Sequence, residues 1–252
     1  MKKLLVANWK ENPRTEAAAV KLFRDVAKIK PVKNVEVAVC PPLLYLGRIA
    51  ALRMRRGKSA RHVALGAQDV FWEEKGAYTS EIGPKMLRAQ GVRYVIVGHS
   101  ERRRWLKETD AMINKKIKRV LRDGLRVILC VGEPLAVRKR GIVAAKNFVV
   151  GQLKKDLVGV SSAARAHLIV AYEPIWAIGT GRYDAPEDAA AVAAVIKRFA
   201  PRVLYGGSVD GRNIRDYVQY KGIDGALIGG ASLRAAEFKK MVAASAQVRI
   251  KK

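Results

Sequence analysis

Eight short runs rich in Val, Ile and Leu recur along the chain, and a helical pattern follows nearly every one. The runs are LLVANW (4–9), VEVAVC (35–40), HVALGA (62–67), YVIVGH (94–99), RVILCVG (126–132), HLIVAYEP (167–174), RVLYGG (202–207) and GALIGG (225–230). A strand that is apolar on both faces belongs in a parallel sheet covered by helices. The stretches between the runs supply those helices. In TEAAAVKLFRDVAKI, Ala19, Leu22, Phe23 and Val26 repeat at helical spacing. ETDAMINKKIKRVLRDG does the same with Met112, Ile113, Ile117, Val120 and Leu121, and Gly124 stands where such a helix would end. Eight strand–helix units close one (β/α)8 barrel. A doubly wound open sheet would be expected to carry a Gly-rich nucleotide turn after its first strand, and Asn8-Trp9-Lys10 stands there instead. With 252 residues, half of them hydrophobic, a single domain over 1–252 has ample core.

The start MKKLLVANWK looks like a signal peptide, but five apolar residues are too few for its hydrophobic segment. No longer apolar run could span a bilayer, so a soluble cytoplasmic protein is expected. Cys40 and Cys130 both fall in expected buried strands, which predicts two core thiols in a reducing compartment. The net charge is +27, from 49 Lys and Arg against 22 Asp and Glu. Such a field favours anionic ligands and also attracts nucleic acid. The cations are nonetheless scattered through RMRRGKSAR, ERRRWLK, NKKIKR and VRKRG, without interleaved aromatics. A solvated basic surface on the outer helix faces is the expectation, with non-specific polyanion binding as a side property.

In a barrel of this kind, chemistry belongs to the carboxyl ends of the strands. Those ends carry Asn8 and Lys10, then His99, then Glu173, followed by Gly206-Gly207-Ser208 and Gly229-Gly230. A base, a neutral acid, a fixed cation and a phosphate nest would converge on one mouth. Ser100 is placed to start a helix after His99, and a helix N-terminus and burial both disfavour a positive imidazole, so a neutral His99 is expected. Glycines after the last two strands allow backbone to approach phosphate, and ASL (231–233) is expected to open a helix that favours an anion. No His/Cys/Asp/Glu cluster has metal-ligand spacing, so no metal is expected.

The words ANWK, GAQDVFWEEKGAYTSEIGP, VGHSERR, ETD, LCVGE, AYEPIWAIGTGR, YGGSV and IDGALIGGASL, in this order, resemble the triosephosphate isomerases over nearly the whole chain. The resemblance implies a (β/α)8 TIM barrel and the cofactor-free interconversion of dihydroxyacetone phosphate and D-glyceraldehyde 3-phosphate. It implies that Glu173 removes a carbon-bound proton, that His99 polarises the substrate oxygens, and that Lys10 and Asn8 stabilise the enediolate. Glu101 resembles the acidic partner of the active-site lysine. Pro174, Ile175, Trp176, Ala177, Ile178, Gly179, Thr180 and Gly181 resemble a flexible lid that excludes water, with Tyr205 and Ser208 as its latch. Backbone at Gly179, with Ser208, Gly207, Gly229 and Gly230, would meet the substrate phosphate. Cys130 matches a structural cysteine.

The family's loop after strand 3 inserts into a second subunit, which makes a homodimer the expected assembly and Thr79 its contact. Ser80 stands where the family usually has glycine, and RYDAPE replaces the usual trailing hinge of the lid. The segment IKRFAPRVLYGG is short before strand 7. Other phosphate-binding barrel enzymes fit less well. A Schiff-base aldolase needs a buried lysine on a central strand, where strand 6 offers Glu-Pro, and a two-aspartate sugar-phosphate isomerase needs aspartates ending strands 1 and 5. A non-catalytic basic barrel that binds polyanions leaves the strand-end set unexplained.

Overall fold

The computed structural model describes residues 2–179, 181–248 and 250. Thr180, one of the expected lid residues, lies outside them. The eight strands are β1 (Lys3–Asn8), β2 (Val35–Cys40), β3 (Val63–Ala67), β4 (Val92–Val97), β5 (Arg126–Val131), β6 (Leu168–Tyr172), β7 (Arg202–Tyr205) and β8 (Gly225–Ile228). Each pairs in parallel with the next, and β8 closes on β1. This is the (β/α)8 barrel expected from the sequence. Strand boundaries move by one or two residues, because the terminal polar residues such as His62, His99 and Glu173 leave the ladder to turn into loops.

Strand alternation splits the core in two. Leu4 and Val6 point inward with Ala38, Ile96, Ile128, Ile169 and Leu204, filling the barrel centre. Leu5 and Ala7 point outward to the helices, with Phe23, Ile49, Ile117 and Phe238. Cys40 and Cys130 are buried free thiols in the inner cluster. The helix Glu16–Ala27 is capped by Thr15, whose hydroxyl accepts from the Ala18 N–H at 3.3 Å. The helix Asp110–Arg122 is capped in the same way by Thr109 on Met112.

Not all the basic residues sit on outer helix faces. Lys116 is 3 % exposed, and its ammonium bonds both Asp69 oxygens, at 2.7 and 2.8 Å, and Glu108 at 2.6 Å. Arg102 bonds the same two carboxylates, at 2.8 Å to Asp69 and 2.5 Å to Glu108. Burial works against the Glu108 charge, but Lys116 and Arg102 outweigh it and hold that carboxyl below its usual range. At Asp69 burial wins and the carboxyl is raised. Two cations and two carboxylates thus form one inward-facing network that charge counting assigned to the surface. Among the described residues, no helix is long and apolar enough to cross a membrane.

Candidate active site

The carboxyl ends of the strands enclose a cavity of about 210 Å³ lined by Asn8, Lys10, His99, Glu173, Gly179, Gly207, Ser208, Gly229 and Gly230, with Ile178 from the lid segment. Residues from five of the eight strand ends meet there. Thr79 is exposed on a loop and does not line it, and Glu101 pairs with Lys10.

Glu173 follows β6 directly and is 2 % exposed. Its Oε2 accepts from the Ser100 N–H at 3.0 Å, and its Oε1 lies 3.1 Å from His99 Nε2. Two glycines make room for it. A Cβ on Gly132 would lie 1.6 Å from the Glu173 carbonyl oxygen, and one on Gly206 would lie 2.8 Å from Glu173 Cγ. The ends of β5 and β7 therefore close on the glutamate as only glycine permits. Burial, and then the Glu173 charge, push the neighbouring Cys130 thiol well up. That thiol is no nucleophile.

His99 is itself the cap of the helix Ser100–Trp105, the role expected of Ser100. Its Nδ1 accepts from the Glu101 N–H at 3.2 Å. A ring nitrogen that accepts carries no proton, so the proton sits on Nε2, facing Glu173. Ser100 instead lends its N–H to Glu173. Arg103 fixes this turn from behind: Nε donates to Gly98 O at 2.9 Å, and its other nitrogens reach Asp110 and Asp156, each at 2.6 Å.

Burial pushes the Asp156 carboxyl up to about 7, against the pull of Arg103 and with the Asp110 carboxyl adding to the rise. Burial likewise takes Asp184 up to about 6. Both folded-state values exceed the unfolded one of 3.8, so the folded protein holds these protons more tightly. The stability they contribute is complete below about pH 4 and is lost as pH rises through about 7. Unfolding free energy in urea is therefore expected to fall by about 4 kcal/mol between about pH 5 and pH 8. Asp156→Asn should remove most of that slope, and a variant that keeps the wild-type slope contradicts the assignment.

Lys10 holds a positive φ of 52°, a backbone cost of about 1–2 kcal/mol for a side-chain-bearing residue. Gln68 offsets it: its amide nitrogen donates to Lys10 O and to Cys40 O, each at 2.9 Å. The Lys10 N–H returns to Asn8 Oδ1 at 3.1 Å, and its ammonium pairs with Glu101. Gln68 is a positioning residue that strand-end reading passed over, although GAQD places it one residue after β3.

In the lid segment, Ile175–Ala177 form a 3₁₀ turn after Pro174, while Gly179 and Gly181 have φ of 67° and 71°. Trp176 Nε1 donates to Glu133 at 3.0 Å, and Ser208 Oγ donates to Ala177 O at 2.5 Å. The expected second latch is not made. Tyr205 Oη is buried beside the Tyr217 hydroxyl, and its ring stacks on Tyr217 with centroids 4.0 Å apart. Tyr217 Oη reaches the trailing hinge instead, at Asp184 O, 2.7 Å away. Asp184 itself is held by Arg138 at 2.9 Å, and its other oxygen lies 3.4 Å from Tyr172 Oη. ASL does not open the last helix: Gly230–Leu233 is a single 3₁₀ turn closed by Ser232 Oγ on Gly229 O, and the helix runs over Ala235–Ala246. Among the described residues, no group of three His, Cys, Asp or Glu is placed to hold a metal ion.

The family model for triosephosphate isomerase matches residues 3–245. The triosephosphate isomerase of Caldanaerobacter subterraneus subsp. tengcongensis is 42% identical over 250 residues, covering 95% of this chain and 98% of that protein. That of Thermoanaerobacter pseudethanolicus is 43% identical over 253 residues, with 95% and 98% covered. That of Thermus thermophilus is 42% identical over 252 residues, with 94% and 97% covered.

Proposed function

Since the chain belongs to the triosephosphate isomerase family and interconverts dihydroxyacetone phosphate and D-glyceraldehyde 3-phosphate, a step of glycolysis, we propose that Glu173, His99, Lys10 and Asn8 carry that reaction. The observation that supports these roles is the shared cavity: a buried carboxylate, an imidazole N–H, an ammonium and an amide face about 210 Å³, room for a three-carbon phosphoester.

The Nε2–H that would polarise a substrate carbonyl is occupied here by Glu173 Oε1. A substrate oxygen takes that donor and frees the carboxylate to remove the proton from the neighbouring carbon. The electron pair moves onto the oxygen and gives an enediolate, which Lys10 and Asn8 stabilise in a site closed to water. His99 moves protons between the two oxygens, and Glu173 returns its proton to the adjacent carbon. Glu101 holds the Lys10 ammonium in place. Backbone at Gly179, Gly207, Gly229 and Gly230, with Ser208, holds the phosphate, and the lid segment closes over it. Asparagine at position 99 keeps a donor but cannot pass a proton, so His99→Asn should lower kcat about a hundredfold with little change in KM. Steady-state kinetics check this, and a wild-type kcat would remove His99 from the reaction.

The assembly follows the same reading. Thr79 and its neighbours from Glu74 to Glu81 are exposed, and Ser80 holds a φ of 72° where glycine would be unstrained. This loop inserts into a second copy, and light scattering on the purified protein should return twice the chain mass of 27.8 kDa. A monomeric mass at micromolar concentration would overturn it. The two buried free thiols fit a reducing cytoplasm.

A further inference from the structure

The largest basic motif of the sequence, RMRRGKSARH, has no part in the reaction, and it leads to a second cavity. At the amino-terminal end of the barrel, opposite the catalytic mouth, a space of about 530 Å³ lies beside the starts of β2, β3 and β4. It is two and a half times the volume of the catalytic cavity, too roomy for a triose phosphate and within the range of cavities that hold larger organic ligands.

Its charge is one-sided. Lys2, Lys30, Arg53, Arg61 and Arg93 line it, with His62, against the single carboxylate of Glu36. That carboxylate is already engaged: Oε1 accepts from Tyr94 Oη at 2.5 Å and Arg93 at 3.0 Å, and Oε2 faces Arg202 at 3.4 Å. Arg53 is half-buried, with Nε on Val63 O at 2.8 Å and Nη2 on Arg61 O at 3.1 Å, which aims its fork by carbonyls rather than by a counter-charge. Burial and the nearby Arg61 charge lower its proton affinity, the mark of crowded cations.

Two buried side-chain nitrogens of this region find no hydrogen-bond partner among the described residues. His62 Nε2 donates to Ile29 O at 2.9 Å, which leaves Nδ1 as an acceptor without a partner, and the Arg202 Nε–H beside Glu36 has none either. The remaining wall is apolar, built from Val26, Ile29, Val32, Val35 and Val63. A bare anion would leave that wall unused, and an uncharged ligand would make no use of the cations.

We propose that this cavity binds a phosphorylated organic molecule, its phosphate taken by Arg53 and Arg61 and its apolar part laid against the aliphatic wall. Planar guanidinium forks suit phosphate oxygens, two at a time.

Calorimetric titration of ADP into the whole protein, with pyrophosphate and adenosine as partial probes, tests this. ADP should bind one per chain and more tightly than either fragment. The double variant K30E/R61E alters two exposed side chains and should weaken ADP about tenfold or more while isomerase kcat/KM stays at the wild-type value. Retained activity also shows that the variant is folded. Absence of saturable ADP binding overturns the site, as does undiminished binding in the variant. ADP inhibition competitive with triose phosphate, at a Ki equal to the calorimetric Kd, would place the ligand in the catalytic cavity and overturn the site as well. Pyrophosphate that matches ADP overturns the role of the apolar wall, and many ADP molecules per chain would reduce the cavity to general surface charge.

Discussion

Replacing Glu173 by glutamine is expected to lower kcat by about 10³-fold or more, at the upper part of the range for losing a general base. The side chain keeps its volume, and its amide oxygen still accepts from Ser100 N–H, so the pocket keeps its shape. Two things are lost. A neutral amide cannot take up the carbon-bound proton, and its NH2 group now faces the Nε2–H of His99, donor against donor. Substrate binding rests on the glycine backbone and Lys10, neither of which changes, so KM should stay within a few-fold of wild type. A fall in kcat of less than tenfold would mean that another group removes the proton. A rise in KM with kcat unchanged would make Glu173 a binding group only.

Lys116→Met is expected to cost about 3–5 kcal/mol of stability, the usual penalty for breaking a buried ion pair by removing one partner. Methionine fills nearly the same space, so the loss is electrostatic rather than steric. Glu108 is 6 % exposed, and without Lys116 it and Asp69 would share Arg102 alone. In a chain of this size each kcal/mol shifts Tm by about 2–4 °C, so Tm should drop by roughly 6–20 °C. Lys116→Met with Glu108→Leu together should recover part of the loss, since no buried charge is then abandoned by its neighbour. A single variant that melts with wild type would show the network to be solvated. Arg102 belongs to the same helix as the Glu101 behind Lys10, so activity should fall with the packing of that helix.

The barrel was legible because each strand is apolar on both faces and each intervening segment repeats at helical spacing, a pattern few other architectures bury. The chemical groups were legible for a related reason: polar residues at the tips of buried strands have nowhere to go but the mouth. What escaped notice depends on approach in three dimensions. Gly132 reads as an ordinary turn residue, and only the fold shows it pressed on the Glu173 carbonyl. Ser100 has the chemistry of a helix cap, but the imidazole before it takes that place because the chain leaves β4 with the ring already over the Glu101 N–H. Tyr205 lies beside the lid, yet its ring is committed to Tyr217. Lys116 could have been found. It falls between Ile113, Ile117 and Val120 at helical spacing, on the buried face, and a lysine there requires carboxylates.

Asp184, at the trailing end of the lid segment, shares one phenol with the leading end. Tyr172 Oη has a single proton to give and lies 3.1 Å from Glu133 and 3.4 Å from Asp184, while Glu133 also receives the Trp176 indole. Arg138 reaches Asp184 on one side and lies 5.5 Å over the Trp176 ring on the other. Both edges of the segment are thus buckled to the same post. A change at either edge therefore alters the hydrogen-bond partners of the other.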